Sequence, residues 1–201
     1  EDVAARCEGA QIIVNKEMPL SKETISQLPS SVKLICEAGT GYNNVDLEAC
    51  SKKGVCLSNV PTYATEAMAH MAITSLMACS CSLWQQAAAF GCGDFQYLEQ
   101  CHPGDLTHVE LHGKTLGLVG GLGTIGKRVA AIASALGMKV VASSSRMAAI
   151  GQQNGMEVVS LDELLETSDF VSIHCPLNAN TKGLIGRVEL AKMKPTAFLI
   201  N

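Results

Sequence analysis

The chain has no run of basic residues longer than a pair such as Lys52-Lys53 or Lys127-Arg128, and its fifteen Lys and Arg are outnumbered by nineteen Asp and Glu. A formal charge of −4 with no basic patch argues against nucleic acid as a partner. There is no Cys-x-x-Cys pair, the nine cysteines are scattered and odd in number, and no secretory signal is expected to accompany them. A disulfide framework is therefore not expected, and a reducing cytoplasm is. Cys79-Ser80-Cys81 and Cys92 lack a second ligand pair at zinc spacing, so they are read as buried structural thiols and no metal is expected. Residues 71–93 carry no charged side chain, a length that alone permits a membrane span. That stretch contains Thr74, Ser75, Ser80, Ser82, Gln85 and Gln86, its apolar residues are mostly small, and no basic flank orients it. A helix buried between domains or subunits is expected instead of a membrane anchor. Internal repeats and low-complexity tracts are absent as well.

What is present is an ordinary globular composition, with 47% hydrophobic and 17% charged residues over 201 positions. Gln11–Val14, Val32–Cys36 and Val55–Ser58 are short β-branched runs separated by helical stretches around Lys22–Gln27 and Asp46–Lys52. That alternation implies a parallel sheet. Asn59-Val60-Pro61 closes this unit, and one long helix is expected from about Thr65 to Ala89, followed by an irregular connection over 91–105. From Leu111 onward the alternation resumes, with strands near 115–119, 138–142, 156–159, 169–173 and 196–200 and helices near 124–137, 161–167 and 186–193. The expected fold class is α/β: a Rossmann-type doubly wound parallel sheet plus a smaller flavodoxin-like α/β domain. The expected division is 1–64, a connecting segment 65–110, and 111–201. Both domains read as incomplete, so the chain is expected to be a fragment of something longer at each end.

The most informative stretch is Lys114-Thr115-Leu116-Gly117-Leu118-Val119-Gly120-Gly121-Leu122-Gly123-Thr124-Ile125-Gly126, in which a short apolar strand meets an apolar-periodic helix through a glycine-rich bend. Gly121, Gly123 and Gly126 fit G-x-G-x-x-G, where the first glycine allows the tight turn. The second lets a pyrophosphate approach the backbone, and the third lets the helix pack on the strand. The helix that follows, opening at Thr124 and Ile125, aims its unpaired N–H groups and the positive end of its dipole at the phosphates. With the strand at 138–142 it completes one β-α-β unit of the length a dinucleotide site requires. At Ser144, where an NAD-preferring protein carries an acidic side chain for the ribose, the run is Ser143-Ser144-Ser145-Arg146. No carboxylate there repels a 2′-phosphate and Arg146 is able to pair with one, which favours NADP over NAD.

Read with that loop, three further segments resemble the D-isomer-specific 2-hydroxyacid dehydrogenases, the family of phosphoglycerate, glycerate and hydroxypyruvate-reducing enzymes. They are Glu37-Ala38-Gly39-Thr40-Gly41-Tyr42-Asn43-Asn44-Val45-Asp46 with Asn59–Ala67, Ser168–Thr181, and Leu190–Asn201. The resemblance implies that Gly39, Thr40 and Gly41 present backbone N–H groups to a substrate carboxylate, which is plausible for bare backbone after a strand. It also implies that Cys175, Pro176 and Thr181 lie beside the cofactor. His174 tempts assignment as the base, but the family's catalytic histidine belongs to a later motif, so His174 is expected to be structural or on the cofactor side. The third segment resembles the strand leading to the family's catalytic arginine, expected past Asn201, with the acidic residue and the histidine further on; no catalytic residue is expected within the chain.

The implied reaction is reversible hydride transfer between nicotinamide and the C2 carbon of a small D-2-hydroxy or 2-oxo acid of the phosphoglycerate, glycerate/hydroxypyruvate or glyoxylate type. The protein's part is positioning and charge stabilisation. A polypeptide ending at Asn201 is expected to bind dinucleotide weakly and to turn nothing over. The rival reading keeps the fold and drops the catalysis: a nicotinamide-sensing module like the co-repressors of this architecture. The resemblance further implies a homodimer.

Overall fold

The computed structural model describes residues 3–91, 108–144, 151–153 and 156–201. The chain divides into two compact units, Glu1–Ala64 with Pro176–Lys182, and Thr65–Cys175 with Gly183–Asn201.

In the smaller unit three strands, β1 (Ile12–Asn15), β2 (Leu34–Glu37) and β3 (Cys56–Ser58), pair in parallel in the order β1-β2-β3. The register sets Asn15 opposite Glu37, and Ile35 opposite both Ile13 and Leu57. Local chemistry sets the helix ends. Ser21 caps Lys22–Gln27 by accepting from the Thr24 amide, and Asp46 caps Leu47–Lys53 by accepting from Ala49. Such caps contribute about 1 kcal/mol each. The second of these helices stops at Gly54, whose φ of +70° favours a residue without Cβ, with Lys52 and Lys53 placed favourably at the dipole's negative end. Leu20, Ile25, Leu28, Val32, Ile35, Val45 and Val55 form the core of this unit.

The larger unit carries a six-stranded sheet in the order β6-β7-β5-β4-β8-β9. Its strands are β4 (Thr115–Val119), β5 (Lys139–Ser143), β6 (Gly151–Gln153), β7 (Met156–Val158), β8 (Phe170–Ile173) and β9 (Phe198–Ile200). All neighbours are parallel except β6 and β7. The central strand β4 is buried on both faces, as expected when helices cover both sides of a parallel sheet. Leu116 and Leu118 join a core with Ala69, Leu76, Val129, Ala133 and Phe170, while Val119 joins Leu164, Leu165 and Val171 in the other. Phe170 and Phe198 stack across β8 and β9 at 5.3 Å. Gly117 is bare for packing reasons, since a Cβ there would lie 2.3 Å from Ser168 Oγ and 2.6 Å from Leu164 Cδ2.

Two expectations are corrected. The long helix over Thr65–Ala89 is two helices, Thr65–Ser80 and Leu83–Gly91, broken at Ser82, whose φ is +51°. The break is stabilised from the second helix, where Gln86 donates to the Cys81 carbonyl at 2.6 Å. Nor is this stretch buried throughout: Ala69, Ala72, Ile73 and Leu76 pack inward, whereas Met71, Trp84 and Phe90 are more than half exposed. The cysteines also differ from one another. Cys79 and Cys81, expected to be buried, are only half-buried, whereas Cys7 and Cys50 are buried and Cys56 is exposed, and every described cysteine is a free thiol. Cys92 and most of the connection at 91–105 lie outside the described residues. No described helix is long and apolar enough to cross a membrane, and the described residues contain no cluster that could hold a metal.

Candidate functional site

The bend after β4 assigns a different task to each glycine. Gly120 has a φ of +82°, and a Cβ on it would sit 2.7 Å from the Cys175 amide nitrogen. Its own N–H donates to the Ser143 carbonyl at 2.7 Å, so the turn is tied to the ends of both β5 and β8. Gly121 is pressed against Ala142 and Leu118, whose Cβ atoms would each lie 2.8 Å from an added Cβ. Gly126 rides directly on Gly121, with an added Cβ only 2.6 Å from the Gly121 Cα and carbonyl oxygen. Gly123 differs. It is exposed, and the one atom near an added Cβ is the Gly120 carbonyl oxygen at 3.4 Å. The protein itself therefore explains three bare positions and leaves the fourth open towards solvent. Gly123 is also the N-cap of the helix Thr124–Ala135; no side chain caps it and no acidic residue stands in its first turn. The amides of the first turn, through Thr124, Ile125 and Gly126, have no intrahelical acceptors and no competing carboxylate. This opening fits the diphosphate of a dinucleotide.

Ser144 follows β5 immediately and is half-buried. Arg146 lies outside the described residues. At the end of β8, the His174 amide donates to the Val119 carbonyl at 2.8 Å, and its Nε2 lies 2.9 Å from the hydroxyl of buried Ser172. Burial pushes the imidazole pKa down, so the ring is neutral around pH 7. Cys175 is half-buried beside Gly120. Pro176 and Thr181 belong to the segment that clusters with the smaller unit. There the Thr181 hydroxyl donates to the Pro176 carbonyl at 2.5 Å and accepts from the Asn178 amide at 2.8 Å, closing a polar loop on itself.

In the smaller unit the loop after β2 is held by its carbonyls. Gly39 O accepts from the Val60 amide at 3.0 Å and Thr40 O from Asn59 Nδ2 at 2.8 Å, while the Thr40 hydroxyl donates to Val60 O. The N–H groups of Gly39, Thr40 and Gly41 donate to no acceptor among the described residues. Neither Gly39 nor Gly41 has a left-handed backbone, and an added Cβ on either would meet nothing closer than 3.4 Å. Their bareness is thus not required by the fold around them. One residue that sequence reasoning passed over lies beneath this loop: Glu37 is 1% exposed. Its Oε2 accepts from Asn15 Nδ2 at 2.6 Å and Asn44 Nδ2 at 3.0 Å, and its Oε1 accepts from the Glu17 amide at 3.0 Å. Burial alone would raise its pKa, but those three donors outweigh that and hold the carboxyl below its ordinary value. The signal in the sequence was a lone acid ending an otherwise apolar strand.

A family model described as D-isomer specific 2-hydroxyacid dehydrogenase, NAD binding domain, matches residues 77–201, more than half of the chain. The chain belongs to that family. Among curated relatives, a hydroxypyruvate reductase of Blautia hydrogenotrophica is 31% identical over the whole chain and 62% of its own length. A glyoxylate reductase of Aeropyrum pernix is 37% identical over 89% of this chain and 53% of its own. The chain thus spans somewhat over half the length of these relatives. Among solved structures, a glyoxylate reductase from Paecilomyes thermophila superposes with a TM-score of 0.85 at 32% identity, covering 97% of this chain and 59% of that one. An acyclic imino acid reductase in complex with NADPH and D-Arg gives 0.88 at 30%, covering 98% and 61%. D-lactate dehydrogenase from Aquifex aeolicus, complexed with NAD and lactic acid, gives 0.87 at 28%, covering 98% and 58%. The Rossmann-like α/β fold expected from the strand and helix alternation is the fold of these enzymes.

Proposed function

We propose that the protein containing this chain is an NAD(P)-dependent oxidoreductase that interconverts a small 2-oxo acid and its D-2-hydroxy acid. Substrates of the glyoxylate, hydroxypyruvate/glycerate or phosphoglycerate type fit this reading. The observation that carries it is Gly123, the exposed glycine at an uncapped helix N-terminus that no packing among the described residues demands. Gly121, Gly123 and Gly126, with the Thr124 and Ile125 amides, would hold the dinucleotide's diphosphate, and Cys175, Pro176 and Thr181 would border the cofactor. The nicotinamide ring supplies the hydride-transfer chemistry when bound. Gly39, Thr40 and Gly41 would bind the substrate carboxylate through their amides, with the Gly39 and Thr40 carbonyls already engaged by Val60 and Asn59. On this division residues 1–64 serve the acid, 111–201 serve the nucleotide, and 65–110 join them.

His174 is not the acid–base group in this reading. A buried, neutral ring engaged with Ser172 is suited to shaping the end of β8. Ser144 and Arg146, in a run without a carboxylate, favour NADP over NAD. Free thiols suit a cytoplasmic protein. The exposed Met71, Trp84 and Phe90 suit a homodimer contact.

The test is fluorescence titration of the full-length protein with NADPH and NADH, followed by turnover assays with glyoxylate, hydroxypyruvate and phosphohydroxypyruvate. Tight nucleotide binding with reduction of at least one acid is expected. Failure to bind either nucleotide would overturn the reading, and binding without turnover of any 2-oxo acid would leave the sensing module in its place.

A further inference from the structure

The carboxylate of Glu37 is the one fully buried acid among the described residues, and its hydrogen-bond partners are all neutral dipoles. Burying a charge without a hydrogen-bonded cation is costly, and a structural brace could be built more cheaply from neutral groups. The three donors come from three separate places: Asn15 at the end of β1, Glu17 in the loop after it, and Asn44 beyond Gly41. Glu17 is itself held at a φ of +58°, a conformation uncommon outside glycine. Asn15 and Asn44 each reach the Met18 carbonyl as well, at 3.0 Å, so the group forms a closed mesh at the carboxyl edge of the parallel strands. That edge is where open α/β sheets bind ligands. Glu37 Oε1 lies 3.4 Å from the position of a Cβ on Gly39, which puts the carboxylate directly against the loop. The opposite side of the loop is fixed by Asn59 and Val60.

We propose that Glu37 is a positioning residue for the 2-oxo acid: its carboxylate gathers Asn15, Asn44 and the Glu17 amide into a frame that presets the Gly39–Gly41 amides for the substrate carboxylate. The inference rests on the reading of that loop as the acid-binding element. Only an acceptor-only group satisfies the frame, because a carboxylate accepts at both oxygens. Glutamine in its place must turn an NH2 towards the Asn side chains or towards the Glu17 amide, setting donor against donor. The loop would then lose its preset shape, and carboxylate binding would weaken in ground state and transition state alike, which raises KM more than it lowers kcat.

The experiment compares full-length wild-type, E37Q and N44A proteins in steady-state reduction of the 2-oxo acid the wild type uses, with NADPH affinity measured separately. E37Q is expected to raise KM for the acid about tenfold or more, while kcat at saturation and the NADPH Kd change less than about threefold. N44A removes one donor and keeps the carboxylate, so it should move KM in the same direction by a smaller factor; it decides the question if E37Q does not fold. An unchanged KM in a folded variant, or a parallel loss of kcat, KM and NADPH binding, would overturn the proposal while leaving the oxidoreductase reading standing. A wild-type protein that reduces no 2-oxo acid would remove both.

Discussion

Gly126 lies so close to Gly121 that a single methyl group between them would overlap backbone, at 2.6 Å from the Gly121 Cα. The contact seats the helix Thr124–Ala135 against the end of β4. Gly126→Ala should push the helix away and destabilise the larger unit by about 1–3 kcal/mol, the usual range for overpacking. Thermal unfolding would show a lowered Tm, and NADPH binding should fall with it; an unchanged Tm would mean the helix can shift freely.

Gly123→Ala should behave differently. Its added methyl has room within the protein, with Gly120 O at 3.4 Å, so the Tm should stay within a degree or two of wild type, about 0.5 kcal/mol or less. The dinucleotide Kd should rise at least tenfold, about 1.4 kcal/mol, because the methyl occupies the approach to the first-turn amides. Isothermal titration would measure it, and undiminished affinity would count against the diphosphate lying there.

Asp169 accepts from the Thr115 amide and from Lys194 Nζ, both at 2.9 Å, and so joins the start of β4 to the turn before β9. Burial works against the ionised form, but those hydrogen bonds prevail and the carboxyl titrates below its ordinary value. A carboxyl depressed on folding stabilises above its unfolded pKa of about 3.9, and that contribution disappears as the pH falls through the folded value. D169N should therefore lower the Tm at pH 7, by the equivalent of about 1 kcal/mol. The gap between variant and wild type should narrow progressively in melts as the pH is lowered below about 3.9; a constant gap would show that the effect is packing and not charge.

His174 also loses its stabilising contribution on acidification. Burial depresses its pKa, so the neutral ring stabilises the fold above the unfolded value of about 6.5, and stability is lost as acid charges the ring on unfolding. H174N should flatten that part of the stability curve near pH 6. If the full-length protein turns over a 2-oxo acid as proposed, the variant should leave the shape of the kcat/KM pH profile unchanged, since the ring is engaged with Ser172. Loss of a profile limb in this variant would make His174 the acid–base group after all.

Ser144→Asp would place a carboxylate where the ribose of the cofactor is expected. Repulsion of a 2′-phosphate should raise the NADPH Kd roughly tenfold and spare NADH, a reversal of preference read by competitive titration. Equal effects on both nucleotides would remove Ser144 from the specificity argument.

The sequence made the alternating architecture legible because β4 and its neighbours alternate sharply with apolar-periodic helices. The interval Thr115–Val119 followed by a helix from Thr124 is found as expected. Strand β6 was missed, since Gly151-Gln152-Gln153 has no apolar content; the following Asn154-Gly155 is the hairpin signal that could have revealed it. The break at Ser82 was hidden because no glycine or proline marks it, and a serine with positive φ is set by its surroundings. Among site residues, Gly123 was legible from spacing alone. Gly120 was not, because its constraint comes from Cys175, 55 positions later in the chain. Glu37 escaped for a similar reason: its partners Asn15 and Asn44 meet it only once β1 and β2 have paired.

The hydrophobic interior is not one body. The cluster around Ile25 and Ile35 shares no member with the clusters around Leu118 and Leu165. Each unit has a core of its own, so calorimetry of this polypeptide should return two endotherms and a single free energy of unfolding would be undefined. Damage to either half can then be scored separately from the health of the other.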